Sequence, residues 1–222
     1  MFYIEKDNIV IGVNEDREGF ITILKYRSDL KEEDIKEVPQ GYIAIAGKPL
    51  MSEEDYNKEV QQAERNRLNM LSMTRGDMFE ALILSKGITK AQIRTMIEND
   101  STLDTITKAL YLNRFDEALE FYRGYPIFDL LGDSLDITSD MLDKFFETKD
   151  YHYLSKYTLE IQPTPSEATV TINGEITNKV TLPYNTEVEY TVSLDNYVAQ
   201  TDKLNLTENK VLTVELQPVV DE

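Results

Sequence analysis

The chain contains three consecutive zones that differ in their pattern of hydrophobic and polar positions. In residues 1–50, short apolar runs alternate with turn signals, which is typical of short strands joined by tight turns. The runs lie at residues 2–6, 9–13, 20–26 and 42–46. This pattern predicts a small β unit over residues 1–50.

Residues 51–150 have helical patterning and regular helix-start signals. A hydroxyl side chain is followed three residues later by an acidic or amide side chain, which is the spacing of a capping box. These signals begin at Ser52, Thr74, Thr89 and Ser101, and two further helices are predicted to start near Pro126 and Ser139. The first helix, over residues 52–71, is polar on nearly all sides, which favours a spacer.

Residues 153–222 are rich in threonine and valine, which alternate with the period of half-buried strands. The alternation is clearest at residues 168–172, 187–192 and 211–216. Asn173-Gly174 is a strong signal for a type I′ hairpin, because both central positions of that turn need positive φ. This zone predicts an antiparallel β-sandwich, and the whole chain is predicted to be α+β.

Composition narrows the classes of function. The 222 residues include 41 acidic and 23 basic side chains, and the net charge of −18 repels phosphate backbones. We therefore expect no direct binding of nucleic acid. No apolar run reaches the roughly 18 residues of a membrane span, so no membrane association is expected. The N-terminal residues lack the pattern of a secretory signal, which predicts synthesis and retention in the cytosol.

Side chains that carry chemistry are scarce. The chain has no cysteine and a single histidine, His152. This composition excludes thiolate nucleophiles and cysteine-based metal sites, and it leaves histidine catalysis dependent on one side chain. The glycine-rich nucleotide, zinc-protease and serine-hydrolase motifs are absent. We predict no catalytic, cofactor-binding or metal-ligating residues, and no cofactor.

Three polar motifs have plain structural interpretations. Arg75-Gly76-Asp77 spells an integrin-binding tripeptide but follows a helix cap, and His152 is expected at a solvent-facing linker position. An acidic series consists of Asp129, Asp133, Asp136, Asp140 and Asp143. We interpret these acids as helix-end charges, and binding of a divalent ion is the alternative.

Aromatic side chains concentrate in the second half of the helical zone. The members selected as a candidate partner-binding set are Phe121, Tyr122, Tyr125, Phe128, Phe145 and Phe146. Such a cluster most simply forms the helical core. Any exposed members form a docking patch, since aromatic residues concentrate at interface hot spots.

The C-terminal zone resembles the PEGA-type and bacterial Ig-like surface modules. The resemblance is carried by residues 162–174, 182–183, 186–192 and 196–197, which supply a proline-rich start, an Asn-Gly hairpin and an aromatic-Asn corner. The tetrapeptide that names the PEGA group is absent, so the looser Ig-like class is the one implied. Modules of this class serve as stalks, spacers or adhesion units.

The central zone resembles proteins encoded in the tail region of phages and prophages of gut-type bacteria. The resemblance is carried by residues 42–50, 63–68, 71–79 and 125–132. It implies a virion-associated or tail-assembly role, with other virion proteins and further copies of this chain as partners. The implied location is the virion, after synthesis in the host cytoplasm, with the C-terminal module available for host-surface contact.

These observations lead to three hypotheses. The first is a non-enzymatic phage structural or tail-assembly protein, which docks through its N-terminal and helical parts and projects an Ig-like module. The second is an acidic inhibitor that mimics DNA and blocks a host defence protein, motivated by the charge of −18. The third is an enzyme that cleaves polysaccharide with paired carboxylates. The acids are interleaved with lysine and arginine, which favours the first hypothesis.

Overall fold

The computed structural model describes residues 1–27 and 29–219 and divides the chain into two compact units, Met1–Arg67 and Leu68–Glu222. Helices and strands both contribute throughout, so the predicted α+β class is confirmed. Ser28 and the last three residues of the predicted 153–222 segment lie outside the described residues. The division at 1–50, 51–150 and 153–222 stays a prediction.

The first unit is built on a small antiparallel sheet with the strand order β2-β1-β3. Asp7 and Asn8 form the turn between the first two strands with positive φ values of 51° and 65°. The core contains Tyr3, Val10 and Ala44. The elements are β1 (Phe2–Lys6), β2 (Ile9–Asn14), α1 (Arg17–Leu24), a 3-10 turn (Glu32–Asp34), β3 (Ile35–Glu37), β4 (Tyr42–Ile43), β5 (Met51–Ser52) and α2 (Glu53–Asn69).

Two strand predictions in this unit are wrong. Residues 20–26 do not form a strand, because most of them belong to α1. The Asp16 carboxylate accepts a hydrogen bond of 2.7 Å from the Gly19 N–H, so it caps the first turn of this helix. Phe20 is buried. A short apolar run is compatible with the period of a strand and with that of a helix, and here the cap at Asp16 favours the helix. The strand predicted over 42–46 is confined to β4.

The second unit begins with a helical part. Its strands β6 and β7 pair antiparallel, and its helices bury one apolar core that includes Met78, Ile93 and Ile97. The elements are β6 (Ser72–Thr74), α3 (Arg75–Lys86), α4 (Lys90–Asn99), α5 (Thr105–Glu117), β7 (Glu120–Tyr122), α6 (Ile127–Ser134), α7 (Ser139–Thr148) and a 3-10 turn (Tyr151–Leu154).

Three of the predicted caps are confirmed. Ser52, Thr74 and Thr89 each accept a hydrogen bond from the backbone N–H three residues later. The cap predicted at Ser101 is wrong, because the Asp104 carboxylate accepts from the N–H groups of residues 106 and 107 and starts α5 there. Aspartate is as strong a cap as serine, so the later signal is sufficient.

The chain ends in a β-sandwich. One sheet has the order β10-β9-β12-β13 and the other β11-β8-β14, and residues of both sheets share one core, from Leu159 and Val170 to Val188 and Val214. The strands are β8 (Lys156–Thr164), β9 (Thr169–Ile172), β10 (Glu175–Ile176), β11 (Lys179–Pro183), β12 (Thr186–Ser193), β13 (Gln200–Leu206) and β14 (Lys210–Glu215).

Pairing in the sandwich is antiparallel with one exception. Strand β14 runs parallel to β8, with Lys210 opposite Leu159 and Glu215 opposite Thr164. The predicted type I′ hairpin is confirmed, since Asn173 and Gly174 have φ values of 52° and 84° and join β9 to β10. A parallel pair needs a long crossover rather than a hairpin, so local sequence patterns do not reveal it.

Candidate partner-binding surface

The candidate aromatic set divides into a buried group and a half-buried group. Phe121, Phe128, Phe145 and Phe146 expose at most 5% of their surface and belong to the helical core. Their rings contact one another edge to face, as between Phe121 and Phe128, whose centroids are 5.6 Å apart. These four side chains are core residues and are inaccessible to a partner of the folded chain.

Tyr122 and Tyr125 are the half-buried members of the set. Strand β7 places successive side chains on opposite faces, so Phe121 points into the core and Tyr122 points away from it. The chain then turns, and the Tyr125 N–H donates to the Tyr122 carbonyl at 3.0 Å. The turn brings the two rings to a centroid distance of 5.5 Å. Partner binding by these two tyrosines stays a prediction.

Arg114 joins this tyrosine pair from the last turn of α5. Its guanidinium carbon lies 4.3 Å from the centroid of the Tyr125 ring, which is a cation–π geometry. Among the described residues, no carboxylate forms an ion pair with Arg114. We call Arg114, Tyr122 and Tyr125 the Tyr/Arg surface.

An open cavity of about 440 Å³ adjoins the Tyr/Arg surface. Its lining comprises Leu110, Tyr111, Asn113, Arg114, Glu117, Ala118 and Tyr125. Leu110 is 63% exposed, so apolar area is available beside the arginine. Tyrosine and arginine next to apolar surface is the composition of interface hot spots. The aromatic clustering in the sequence points to the tyrosines but not to Arg114, which reaches them only because α5 and the turn after β7 pack together.

Beside this cavity, Asp116 of α5 is paired with two cations of α4. The Asp116 carboxylate lies 3.0 Å from the Lys90 ammonium and also forms an ion pair with Arg94. The hydrogen bond from Lys90, reinforced by Arg94, holds the pKa of Asp116 below its usual value. Asp116 is therefore already paired with Lys90 and Arg94, and within the described residues Arg114 is an unpaired cation of the Tyr/Arg surface.

The side chain of Arg123 connects the turn after β7 to helices α6 and α7. Its side chain is buried, with Nε 2.6 Å from Asp143 Oδ1 and a terminal nitrogen 3.0 Å from Asp129 Oδ1. The same guanidinium donates to Ser139 Oγ at 2.6 Å. These contacts tie β7 to α6 and α7, which fixes the position of the tyrosines. Nothing in the sequence predicts the role of Arg123, because a basic residue among aromatic residues gives no signal for a helix or a strand.

The acidic series is used largely in ion pairs. Asp129 and Asp143 bind Arg123, and Asp136 forms an ion pair with Lys156. Within the described part of the chain, no group of three acidic or histidine side chains has the geometry to hold a metal ion. Pairing with cations accounts for the positions of these three acids.

The remaining polar motifs have structural surroundings. The Thr74 hydroxyl accepts from the Asp77 N–H at 3.2 Å, so the Arg-Gly-Asp tripeptide forms the first turn of α3. His152 lies in the 3-10 turn before β8, with Nδ1 2.6 Å from Asp150 Oδ1. Its ring stacks between Tyr151 and Tyr184, so it is half buried rather than solvent-facing. Among the described residues, no helix has the length and apolar character needed to cross a bilayer.

Comparison with known families finds a match in the sandwich. Residues 156–214 match the Head fiber dimeric protein-like domain. The match begins at the first residue of β8 and ends in β14, so it covers the sandwich but not the Tyr/Arg surface. No curated protein matches the chain, and no solved structure matches it. The match supports a structural protein of a phage virion in general terms.

Proposed function

We propose that this protein is a non-enzymatic structural component of a phage virion. The match of residues 156–214 to the Head fiber dimeric protein-like domain carries this proposal. The matched strands enclose a continuous apolar core, as expected for a module that serves as a framework. Because the family description names a head fiber, we propose a location on the head. The resemblance of the central zone to proteins encoded in the tail region would instead place the protein in the tail.

The proposed division of labour follows the zones of the chain. The N-terminal and helical parts dock on other virion proteins, and the C-terminal Ig-like module projects and contacts the host surface. The Tyr/Arg surface supports docking by the helical part, because it combines half-buried aromatic rings, an unpaired cation and adjoining apolar area. A carboxylate is the group that complements an exposed cation, so we propose that the partner segment carries one opposite Arg114.

Immunogold labelling of intact, gradient-purified particles tests this proposal. Antibodies raised against the sandwich are expected to decorate heads of intact particles. Label confined to tails would contradict the head location but keep the virion role. A lack of label on both intact and disrupted particles would overturn the structural role.

The docking role of the Tyr/Arg surface has its own test. We expect Arg114→Glu to lower the copy number per particle at least about tenfold, since it reverses the charge that meets the partner and removes the cation–π contact. Lys108→Glu makes the same reversal of charge on α5 outside this cavity and is the matched control, which should be incorporated normally. Normal incorporation of the Arg114 variant would exclude this surface from docking.

The DNA-mimic alternative gains no comparable support. A mimic needs carboxylates that are free to replace phosphates. Here Asp116 is paired with two cations, and Asp136 and Glu160 are each paired with a lysine. These three carboxylates are therefore not free to replace phosphates.

A further inference from the structure

We propose that the cavity between α7 and the turn from β11 to β12 binds an uncharged saccharide. The cavity lies within the unit Leu68–Glu222 and has a volume of about 530 Å³. Among its lining residues, Asp140, Tyr153, Tyr184 and Asn185 carry the recognition. This inference rests on the proposed function in one respect, because the host surface that the sandwich is proposed to contact is the expected source of the saccharide.

Two tyrosine rings supply the aromatic wall of this cavity. The ring centroids of Tyr153 and Tyr184 are 5.0 Å apart, and the ring planes meet at 87°. Tyr184 also stacks on His152, with a centroid distance of 5.2 Å and an angle of 29° between the planes. These contacts fix the Tyr184 ring before a ligand arrives. One face of a sugar ring presents C–H groups, which pack against aromatic rings because the face of an aromatic ring is electronegative.

Polar side chains with unused hydrogen-bonding capacity share the cavity with these rings. Among the described residues, no cation pairs with Asp140, which lies in the first turn of α7. Asn185 is exposed, and its side-chain amide donates a long bond of 3.4 Å to the Tyr153 hydroxyl. That hydroxyl keeps a hydrogen to donate, and the side-chain oxygen of Asn185 accepts. Sugar hydroxyls both donate and accept, so a carboxylate, an amide and a phenol together suit neighbouring hydroxyls of one ring.

The backbone of the turn is already used, which favours a ligand that is recognised by side chains. The Tyr184 N–H donates to the Ser155 carbonyl at 3.0 Å, and the Asn185 N–H donates to the Leu206 carbonyl at 2.7 Å. The Pro183 carbonyl accepts from a threonine hydroxyl at 2.8 Å. An extended peptide is held mainly by main-chain hydrogen bonds, for which these groups are not available. A saccharide needs only the side chains.

The charges of the cavity favour an uncharged ligand. Lys144 also lines the cavity, but its ammonium lies 3.0 Å from a carboxylate oxygen of Glu147. The Asp140 carboxylate therefore gives the cavity negative character in a chain of net charge −18, so phosphorylated and acidic sugars are repelled. A purely apolar ligand would bury the Asp140 carboxylate without a partner, which is costly. The hydroxyl groups of a neutral sugar supply the donors that this carboxylate needs.

Binding is measured first, on the full-length chain. The probe is a printed array of uncharged oligosaccharides built from glucose, galactose, mannose and N-acetylglucosamine, with sialylated counterparts beside them. We expect one or more of the uncharged glycans to bind, and their sialylated counterparts to bind at least about tenfold more weakly. Titration calorimetry with the strongest glycan then gives the dissociation constant of the wild-type chain.

Replacement of Asn185 by glycine tests the amide. Asn185 has a φ of 60°, which glycine adopts without strain, so Asn185→Gly is expected to fold with unchanged circular dichroism. The dissociation constant is expected to rise about tenfold, because the sugar loses a donor and an acceptor. Asn196→Gly is the matched control, since Asn196 has a φ of 67° and lies outside the lining of this cavity. It should bind the glycan as the wild-type chain does.

Replacement of Asp140 tests the carboxylate and still decides if the glycine variant fails to fold. Asp140→Asn keeps the shape of the side chain and is expected to weaken binding about tenfold, because hydrogen bonds to a charged acceptor become bonds to a neutral one. Asp133→Asn removes an exposed acid of the same series outside the cavity and should have no effect. The side-chain amide signal of Asn185 in a nuclear magnetic resonance titration shows where the glycan binds, and we expect it to shift.

Three outcomes would overturn the inference: an array on which no uncharged glycan binds, an Asn185 amide signal that does not move at saturation, or wild-type affinity in both Asn185→Gly and Asp140→Asn. All these measurements use the purified chain in the absence of particles. Failure of this inference is therefore distinguishable from failure of the proposed virion role.

Discussion

Arg123 is the most deeply buried charged side chain of the described residues, and it connects three elements through Asp143, Asp129 and Ser139. A buried ion pair contributes little net stability compared with an apolar replacement of both partners. Removal of only one partner is destabilising, because it leaves the other charge buried without that counter-ion. The position of Tyr122 and Tyr125 therefore depends on the ion pair between Arg123 and Asp143, in which the loss of one member leaves the charge of the other buried.

Replacement of Arg123 tests this dependence. We expect Arg123→Met to lower the free energy of unfolding by about 3–5 kcal/mol, because the Asp143 carboxylate loses its buried partner. Asp129→Asn, at a side chain that is 57% exposed, should cost no more than about 1 kcal/mol. Urea denaturation of both variants gives the comparison, and equal losses would contradict the account.

Asp116 makes a pH-dependent contribution with a definite sign. Its pKa is lowered in the folded state, chiefly by the hydrogen bond from Lys90 and then by Arg94. Its stabilising effect is therefore present above the pKa of the unfolded chain and is lost as pH falls through the folded pKa.

We expect Asp116→Asn to lower the melting temperature at pH 6 and to change it progressively less as the pH falls through the lowered pKa of Asp116. Asp140→Asn is the control, because Asp140 forms no ion pair with a cation in the described residues. Thermal unfolding from pH 3 to 6 measures both variants. A constant effect of Asp116→Asn over this range would contradict the ion-pair account.

At the scale of elements, the sequence predicts structure where both partners of a stabilising contact lie within a few residues of each other. The caps at Ser52, Thr74 and Thr89 and the turn at Asn173-Gly174 satisfy backbone groups or φ requirements locally, so their sequence signals suffice. Residues 20–26 were ambiguous because a run of seven positions fits a strand and a helix alike.

Other elements depend on contacts that are distant in sequence. Strands β6 and β7 pair across 48 positions, as Ser72 with its hydrogen-bond partner Glu120 shows, and the parallel partner of β8 lies at the end of the sandwich. The Tyr/Arg surface likewise depends on packing between elements, because Arg114 of α5 reaches Tyr125 only where α5 packs beside the turn after β7. The two tyrosines were predictable from composition, and their arginine was not.

The Asn173-Gly174 hairpin allows a prediction at this scale. Gly174 has φ of 84°, a conformation that costs an L-residue about 1–2 kcal/mol, so Gly174→Ala should destabilise the chain by that amount. Gly76→Ala is the matched control, because an added Cβ there meets Thr74 Oγ1 at an ordinary 3.7 Å in the first turn of α3. Equal effects of the two substitutions on chemical denaturation would contradict the turn assignment.

At the scale of the whole molecule, the parts have different kinds of support. The sandwich carries the family match, and the helical part carries the Tyr/Arg surface. The unit Met1–Arg67 has its own small core, in which the Gly47 N–H donates to the Val10 carbonyl at 2.7 Å.

Quantitative mass spectrometry of gradient-purified particles tests the virion role most directly. The account predicts that the protein copurifies with particles at a fixed ratio to the major capsid protein. Absence from purified particles, despite abundance in the lysate, would contradict the virion role.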